Sequence, residues 1–282
     1  MKKYLALAVL ALISVAAYAQ DAAELINQAN EAMRNRQYPQ AFEMYDKAMG
    51  NLGDVEVPNS IFFNIGFAAM QAEKNEEAIK YLDKAIEADV NVSKSWEYKA
   101  TIYNKTSSFD KALEAFEKAL ETADENVGAL SFNTAVVAFR LQNFEKTVKY
   151  FDKAYAEGFR PQDALVNKAS ALNRMQDNEA YKATLEEGYS KYPDEKRITS
   201  ALANIYVAEG NAIYQGGAQI LNAANQRVNS GAITTEDDAY KAELDKAKAE
   251  FKKAMEILTK ANTVDASNAN ASRLIEAIKP LI

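Results

Sequence analysis

An eight-residue pattern recurs four times in this chain of 282 residues and limits its fold more than any other feature. Each copy begins with Ala or Thr, has a large apolar residue four positions later and ends on Ala. Residues at i, i+4 and i+7 lie on one stripe of an α-helix, so each copy predicts an amphipathic helix. The copies are AFEMYDKA at 41–48, AIKYLDKA at 78–85, ALEAFEKA at 112–119 and TVKYFDKA at 147–154.

The spacing of the copies indicates a repeat of two helices. Successive copies begin 37, 34 and 35 residues apart, and the register continues 34 residues further on at Tyr181. Another small residue stands twelve positions before each copy, where it lets a preceding helix approach closely. A period near 34 residues with two helices per unit is typical of helical-repeat proteins. The four preceding small residues are Ala29, Gly66, Ala100 and Ala135.

At these positions the chain resembles the tetratricopeptide repeat family. The resemblance implies an all-α, right-handed α-solenoid of helix pairs, in which the first helix of each unit lines a concave side. The predicted domains are five repeats over 20–193, then a sixth, expanded repeat with a C-terminal capping helix over 194–282. Matching landmarks in the third unit are Trp96, Ala100, Tyr103, Ala112, Phe116 and Ala119.

An insertion lengthens the sixth repeat. Ala203 begins it on schedule, but the stripe of its second helix starts at Ala254, 73 residues after Tyr181. The inserted segments carry apolar stripes on both sides of a polar turn, so we expect a helical hairpin over 209–250. The pair Gly216–Gly217 could kink its first arm. Residues 272–282 are expected to form the capping helix that a solenoid needs.

The composition excludes several kinds of chemistry. The chain has no Cys and no His, which excludes disulfides, thiol chemistry, Cys/His zinc sites and His-dependent catalytic relays. Lys and Arg number 33 against 40 Asp and Glu, and a net charge of -7 argues against a nucleic-acid partner. No Gly-rich phosphate loop or calcium loop is present. We therefore expect no cofactor, no metal and no enzymatic activity.

Residues 1–19 are predicted to be a secretory signal peptide. Lys2 and Lys3 precede an apolar stretch of 15 residues, which is too short to span a bilayer as a helix. Small residues at Ala17 and Ala19 suit cleavage before Gln20. We expect an exported protein, periplasmic or secreted, with no transmembrane anchor in the mature chain; the alternative is an uncleaved membrane anchor.

The resemblance also predicts which side chains line the concave groove. They include a row of Asn residues, whose amides donate and accept hydrogen bonds and could hold a peptide backbone. A basic row lies seven residues further along, and aromatic residues beside both rows are typical apolar anchors. The alternative is that Asn here belongs to the scaffold only. The predicted peptide-binding residues are Asn27, Asn30, Phe63, Asn64, Phe67, Asn104, Lys105, Phe132, Asn133, Phe139, Arg140, Asn167, Asn173 and Arg174.

Three functional hypotheses remain open. The first is a non-enzymatic exported scaffold or adaptor that binds a peptide or protein segment in the concave groove, with the basic row favouring an acidic segment or a chain terminus. The second is a structural subunit of a cell-envelope assembly that docks through the long hairpin. An exported hydrolase built on helical repeats is a distant third.

Overall fold

The computed structural model describes residues 22–52 and 56–282, and within them the chain is almost entirely helical. No β-strand occurs in these residues, so the predicted all-α fold class is confirmed. The helices are α1 over 22–34, α2 Tyr38–Gly50, α3 Ser60–Gln71, α4 Asn75–Glu87, α5 Val92–Lys105, α6 Phe109–Glu121, α7 Val127–Arg140, α8 Phe144–Ala156, α9 Pro161–Met175, α10 Asn178–Lys191, α11 Lys196–Asn229, α12 Asp238–Val264 and α13 Ala269–Ile278, followed by a 3₁₀ turn at Lys279–Leu281.

The chain forms two compact units, the first ending at Glu157 and the second covering Gly158–Ile282. Within each unit, helices that are consecutive in sequence pack against each other, as the repeat register predicts. The predicted domain boundary at residue 193 follows that register and stays a prediction. The predicted signal peptide lies outside the described residues. Among the described helices none is both long enough and apolar enough to cross a membrane.

The repeated apolar stripe forms the core of the first unit. The large residues Tyr45, Leu82, Phe116 and Phe151 are at most 3% exposed, as the pattern predicts. The preceding small residues let the first helix of each pair come close. At Gly66 an added Cβ would lie 2.8 Å from Cγ of Leu82, so a larger residue would push the two helices apart.

The acidic residue near the end of the repeated pattern links one unit to the next. The Tyr150 hydroxyl on α8 donates a hydrogen bond of 2.8 Å to Glu117 on α6. The Tyr81 hydroxyl donates to Asp46 in the same way, two repeats earlier. The same contact thus holds the first repeat to the second and the third repeat to the fourth.

The lysine of the repeated pattern covers an aromatic ring of its own unit. The Lys84 ammonium lies 5.3 Å from the centre of the Phe62 ring. The Lys118 ammonium lies 4.6 Å from the centre of the Trp96 ring, and Lys99 lies 4.1 Å from the same ring. The aliphatic stems of Lys84 and Lys118 thus cover aromatic surface while their charges stay near water. Lys99 is itself buried and pairs with Asp83.

The sixth repeat is the predicted long hairpin, with α11 of 34 residues packed along α12 of 27 residues. Gly210 and Gly217 face α12, and an added Cβ would lie 2.7 Å from Cγ of Leu258 or 2.8 Å from Cε1 of Phe251. These glycines therefore allow close packing of the two arms. Helix α11 runs unbroken through the glycine pair. The suggested kink at this pair stays a prediction. At the base of the hairpin, α13 covers α12 through the fully buried Ile278.

Candidate functional site

Four aromatic rings meet on the first unit and form what we call the aromatic cluster: Tyr38, Phe63, Phe67 and Tyr98. The Phe67 ring packs edge-on against Tyr38, with ring centres 5.4 Å apart, and 5.2 Å from the Tyr98 ring. Phe63 stacks on Tyr98, with ring centres 5.6 Å apart. All four side chains are half-buried. Two predicted site residues, Phe63 and Phe67, thus lie together on a partly exposed apolar surface.

Three elements position the aromatic cluster. Phe63 and Phe67 are one helical turn apart on α3, so their rings lie on the same face. Tyr98 comes from the same level of α5 in the next unit, and Tyr38 opens α2 beside Pro39, whose fixed φ suits the first turn of a helix. Burial raises the pKa of Tyr98, so its hydroxyl stays protonated at neutral pH.

The position of Phe132 was predicted wrongly. It is only 6% exposed and packs edge-on against Phe151, with ring centres 5.2 Å apart. Ser131 stands at the register position of Phe62 and Trp96, and a serine there leaves space against the second helix that the Phe132 ring fills. Phe132 therefore belongs to the core and does not line a binding surface.

Phe139 and Arg140 lie in a second, smaller aromatic contact. Phe139 is half-buried against Phe144, with ring centres 5.6 Å apart. The Arg140 guanidinium lies 5.5 Å from the centre of the Phe109 ring and donates a hydrogen bond of 2.8 Å to Oδ1 of Asn104. The Phe139–Phe144 contact lies within the fourth repeat, and the contacts of Arg140 join that repeat to the third. Three predicted site residues, Asn104, Phe139 and Arg140, are thus engaged within the protein itself.

The predicted amide row divides into engaged and available side chains. Asn30 accepts a hydrogen bond of 2.6 Å from the Tyr45 hydroxyl, which makes it part of the core. Asn27 and Asn133 are exposed and Asn64 is half-buried, and within the described residues none of these three makes a side-chain hydrogen bond. In the second unit, Asn167 donates to the Asp163 carbonyl on its own helix at 2.8 Å.

The predicted basic row is partly neutralised within the protein. Lys105 forms an ion pair of 2.6 Å with Glu73, and this hydrogen bond lowers the pKa of the Glu73 carboxyl. Arg34 is exposed at one end of the row. Arg174 is exposed in the second unit, beside the exposed Asn173. The charge available to a partner is therefore smaller than the sequence indicates.

Tyr38 was not predicted to be a site residue, although a pattern in the sequence indicates its position. Tyr38 stands three positions before the first residue of the repeated pattern, and Phe109 and Phe144 occupy the same position in later units. All three rings contact residues of a first helix. A comparison of the positions just before each pattern would have found them.

The four rings of the aromatic cluster do not line the two cavities described next. One of about 620 Å³ lies at the turns before α5 and α7 and is lined mainly by acidic and polar side chains, among them Asp89, Glu97, Asp124 and Glu125. A groove of about 350 Å³ in the second unit has an apolar floor that includes Leu202 and Tyr206. In the part of the chain that the structure describes, no group of three or more acidic side chains is placed to hold a metal ion.

Comparison with known proteins agrees with this architecture. A family model described as a tetratricopeptide repeat matches residues 63–127 and 99–164. No curated protein matches the chain. A crystal structure of a tetratricopeptide repeat protein from Parabacteroides merdae is 16% identical and covers 92% of this chain and 99% of that chain, with a TM-score of 0.50.

Two further solved structures are similar to the chain. The crystal structure of MamA protein is 13% identical, covers 63% of this chain and 94% of that chain and has a TM-score of 0.50. A tetratricopeptide repeat protein from Bacteroides fragilis is 19% identical and covers 93% of this chain and 99% of that chain, with a TM-score of 0.40. At these identities the likeness concerns the fold, which is that of an all-α helical-repeat protein.

Proposed function

We propose that the protein is a non-enzymatic scaffold that binds a peptide or protein segment on the first helices of its repeats, with the aromatic cluster as the apolar anchor. One observation carries the proposal: Phe67 contacts both Tyr38 and Tyr98 while all three rings stay partly open to solvent. A rigid group of half-buried rings is the kind of surface on which interface anchors are found.

The helices around the cluster supply the polar part of the surface. Helix α3 carries no charged residue, whereas on α5 the Lys94 ammonium lies 5.6 Å from the centre of the Tyr98 ring and pairs with Glu97. Available amides at Asn27, Asn64 and Asn133 can donate to and accept from a peptide backbone without selecting its side chains. The rings favour a partner segment with large apolar side chains. Lys105 of the basic row is already paired with Glu73, whereas Arg34 is exposed.

The free energy of binding is expected to come mainly from burial of the rings and less from hydrogen bonds to the amides. A dissociation constant of about 1 μM requires about -8.2 kcal/mol, whereas a neutral hydrogen bond contributes only about 1 kcal/mol. Burial of about 200 Å² of apolar surface contributes roughly 5 kcal/mol at about 25 cal/mol per Å². Loss of one ring should thus weaken binding more than loss of one amide.

Selection from a random-peptide phage library tests the proposal without a known partner. The immobilised protein should enrich peptides with paired apolar side chains, and the Phe67→Gln and Tyr98→Gln variants should enrich none of them. Tyr240→Gln, which changes a half-buried ring on the hairpin, is the matched control and should select the same peptides as the wild type. Equal enrichment by all four proteins would refute a role for the aromatic cluster.

Export is a separate part of the proposal and rests on the sequence of residues 1–19 alone. Expression with the complete leader in a bacterium, followed by fractionation and mass spectrometry, would test it. We expect a processed periplasmic or secreted form that begins at Gln20. A chain that keeps Met1 or stays in the cytoplasm would contradict export and leave the proposed binding surface unaffected.

A further inference from the structure

The first arm of the hairpin has an unusual surface. Residues 210–226 of α11 include no Asp, Glu, Lys or Arg, although 26% of the whole chain is charged. The facing arm α12 has eleven charged residues among its 27. An exposed helix usually carries mixed charges that keep it soluble and monomeric. The arm α11 thus lacks the usual protection against association along this stretch.

The uncharged surface lies on the side of α11 that does not pack in the hairpin. Gly210, Gly217 and Ala224 are buried and face α12. The opposite side, which we call the amide face, is made of the exposed residues Ala212, Gln215, Gln219, Asn222, Ala223 and Gln226, and the half-buried Gly216 lies among them. Within the described residues their side chains make no hydrogen bond to the protein.

Gly216 leaves room for a close approach on this face. No atom lies within 4 Å of the position that a Cβ on Gly216 would occupy, whereas the adjacent Gly217 is packed against Phe251. Small residues on a helix surface let a second helix come near enough for backbone and side chains to interdigitate. The hairpin itself does not use this space.

The positions of the amide face are spaced symmetrically about Gln219. If two copies of α11 lie antiparallel with Gln219 at the two-fold axis, residues equally far from Gln219 share a level. Ala212 then shares a level with Gln226, and Gly216 with Asn222. Gln215 likewise shares a level with Ala223, so each amide side chain away from the axis is opposite a small residue, and the two Gln219 side chains meet at the axis. Amide side chains both donate and accept hydrogen bonds, so the amide faces of two copies can bond to each other without charged groups.

We propose that the amide face of α11 is a self-association surface that joins two copies of this protein in an antiparallel, two-fold pair. The face lacks charge, so two copies can meet there despite the negative charge that each molecule carries overall. A stretch of 15 residues is about 22 Å long. One helix face of this length buries less surface area than a standard protein–protein interface, so the pair is weak and reversible.

Sedimentation of the whole protein tests the association. The average mass should rise from one chain toward two across about two decades of concentration, and Gly216→Arg should weaken association at least tenfold, because it places a charge on the amide face in open space. Lys252→Glu, on the exposed side of α12, should leave it unchanged. A single-chain mass at every concentration, or an equal dimer in Gly216→Arg, would overturn the proposal.

Engineered cysteines test the geometry, because the chain has none of its own. Under mild oxidation Gln219→Cys should form a disulfide between two copies, since residue 219 lies at the proposed axis. Lys252→Cys should stay largely monomeric, and equal yields from the two variants would contradict the pairing. The Phe67→Gln variant should dimerise normally, so failure here and failure of the proposed binding surface are distinguishable.

Discussion

The Tyr150 hydroxyl donates a 2.8 Å hydrogen bond to the Glu117 carboxylate, 33 residues earlier and one repeat away. Tyr150 is 7% exposed, and burial together with this bond raises its pKa. Lys146 pairs with the same carboxylate at 2.7 Å. One acidic residue thus holds two side chains of the next unit, at the place where neighbouring second helices meet.

Removal of the Tyr150 hydroxyl should loosen the contact between the third and fourth repeats. Tyr150→Phe is expected to lower the free energy of unfolding by about 1–2 kcal/mol, because a buried hydrogen bond to a charged group is lost. Urea denaturation followed by circular dichroism would measure this. Tyr240→Phe, which removes a more exposed hydroxyl bonded to Asn225, should change the free energy by less than about 0.5 kcal/mol. Equal effects would argue against the inter-repeat link.

Truncation of a core stripe residue should be far more costly. Phe151→Ala removes a side chain that is 2% exposed and leaves a cavity, so a loss of about 3–5 kcal/mol is expected from the same denaturation experiment. Met175→Ala, at a side chain that is 37% exposed, should stay within about 0.5 kcal/mol of the wild type. A loss below about 1 kcal/mol for Phe151→Ala would mean that the stripe is not the core.

The adjacent glycines of α11 should respond in opposite directions to the same change. Gly216→Ala should raise the free energy of unfolding by about 0.5–1 kcal/mol, because alanine favours the helix and its Cβ meets open space. Gly217→Ala should lower it by about 1–3 kcal/mol, because the Cβ would collide with the Phe251 ring. Thermal unfolding of both variants would measure these changes. A change of the same sign in both variants would contradict the packing of the hairpin.

The Glu195 carboxylate lies at the start of α11, and its contribution to the stability of the fold depends on pH. Arg197 donates two hydrogen bonds of 2.9 Å to Glu195 and lowers the pKa of that carboxyl from 4.5 to about 2. Because the pKa is lower in the folded state, the pair stabilises the fold above about pH 4.5. That contribution is lost as the pH falls toward about 2.

Stability measured against pH would test this pair. Glu195→Gln should lower the free energy of unfolding at pH 7, and the difference from the wild type should shrink steadily as the solution is acidified. Glu236→Gln, at a side chain that is 86% exposed, is the control and should show little difference at any pH. If the loss of unfolding free energy in Glu195→Gln stayed constant down to pH 2, the proposed role of this carboxylate would be contradicted.

The local part of the fold was predictable because it depends on spacing alone. The stripe at Tyr45, Leu82, Phe116 and Phe151 follows from a helical period that every copy repeats, and all four side chains are buried. The hairpin was predictable for the same reason, since both of its arms continue an apolar stripe. Helix pairing then followed from a repeat length that leaves room for two helices and two short turns.

The candidate site was harder to predict because ring directions depend on neighbouring volumes. Phe63 and Phe132 share a register position, yet Phe63 stacks on Tyr98 whereas Phe132 fills the space beside Ser131. A single sequence shows residue types at equivalent positions and does not show which cavity each ring enters. The pairing of Lys105 with Glu73 was missed for a similar reason, since the partners are 32 residues apart and meet only in the stack.

Calorimetric titration of a library-selected peptide into the wild-type protein and its Phe67→Gln variant tests the proposed aromatic anchor most directly. We expect binding with a negative change in heat capacity, as burial of apolar surface requires. Phe67→Gln should weaken affinity at least about tenfold, or about 1.4 kcal/mol. Unchanged affinity in a variant that unfolds like the wild type would show that the segment binds elsewhere.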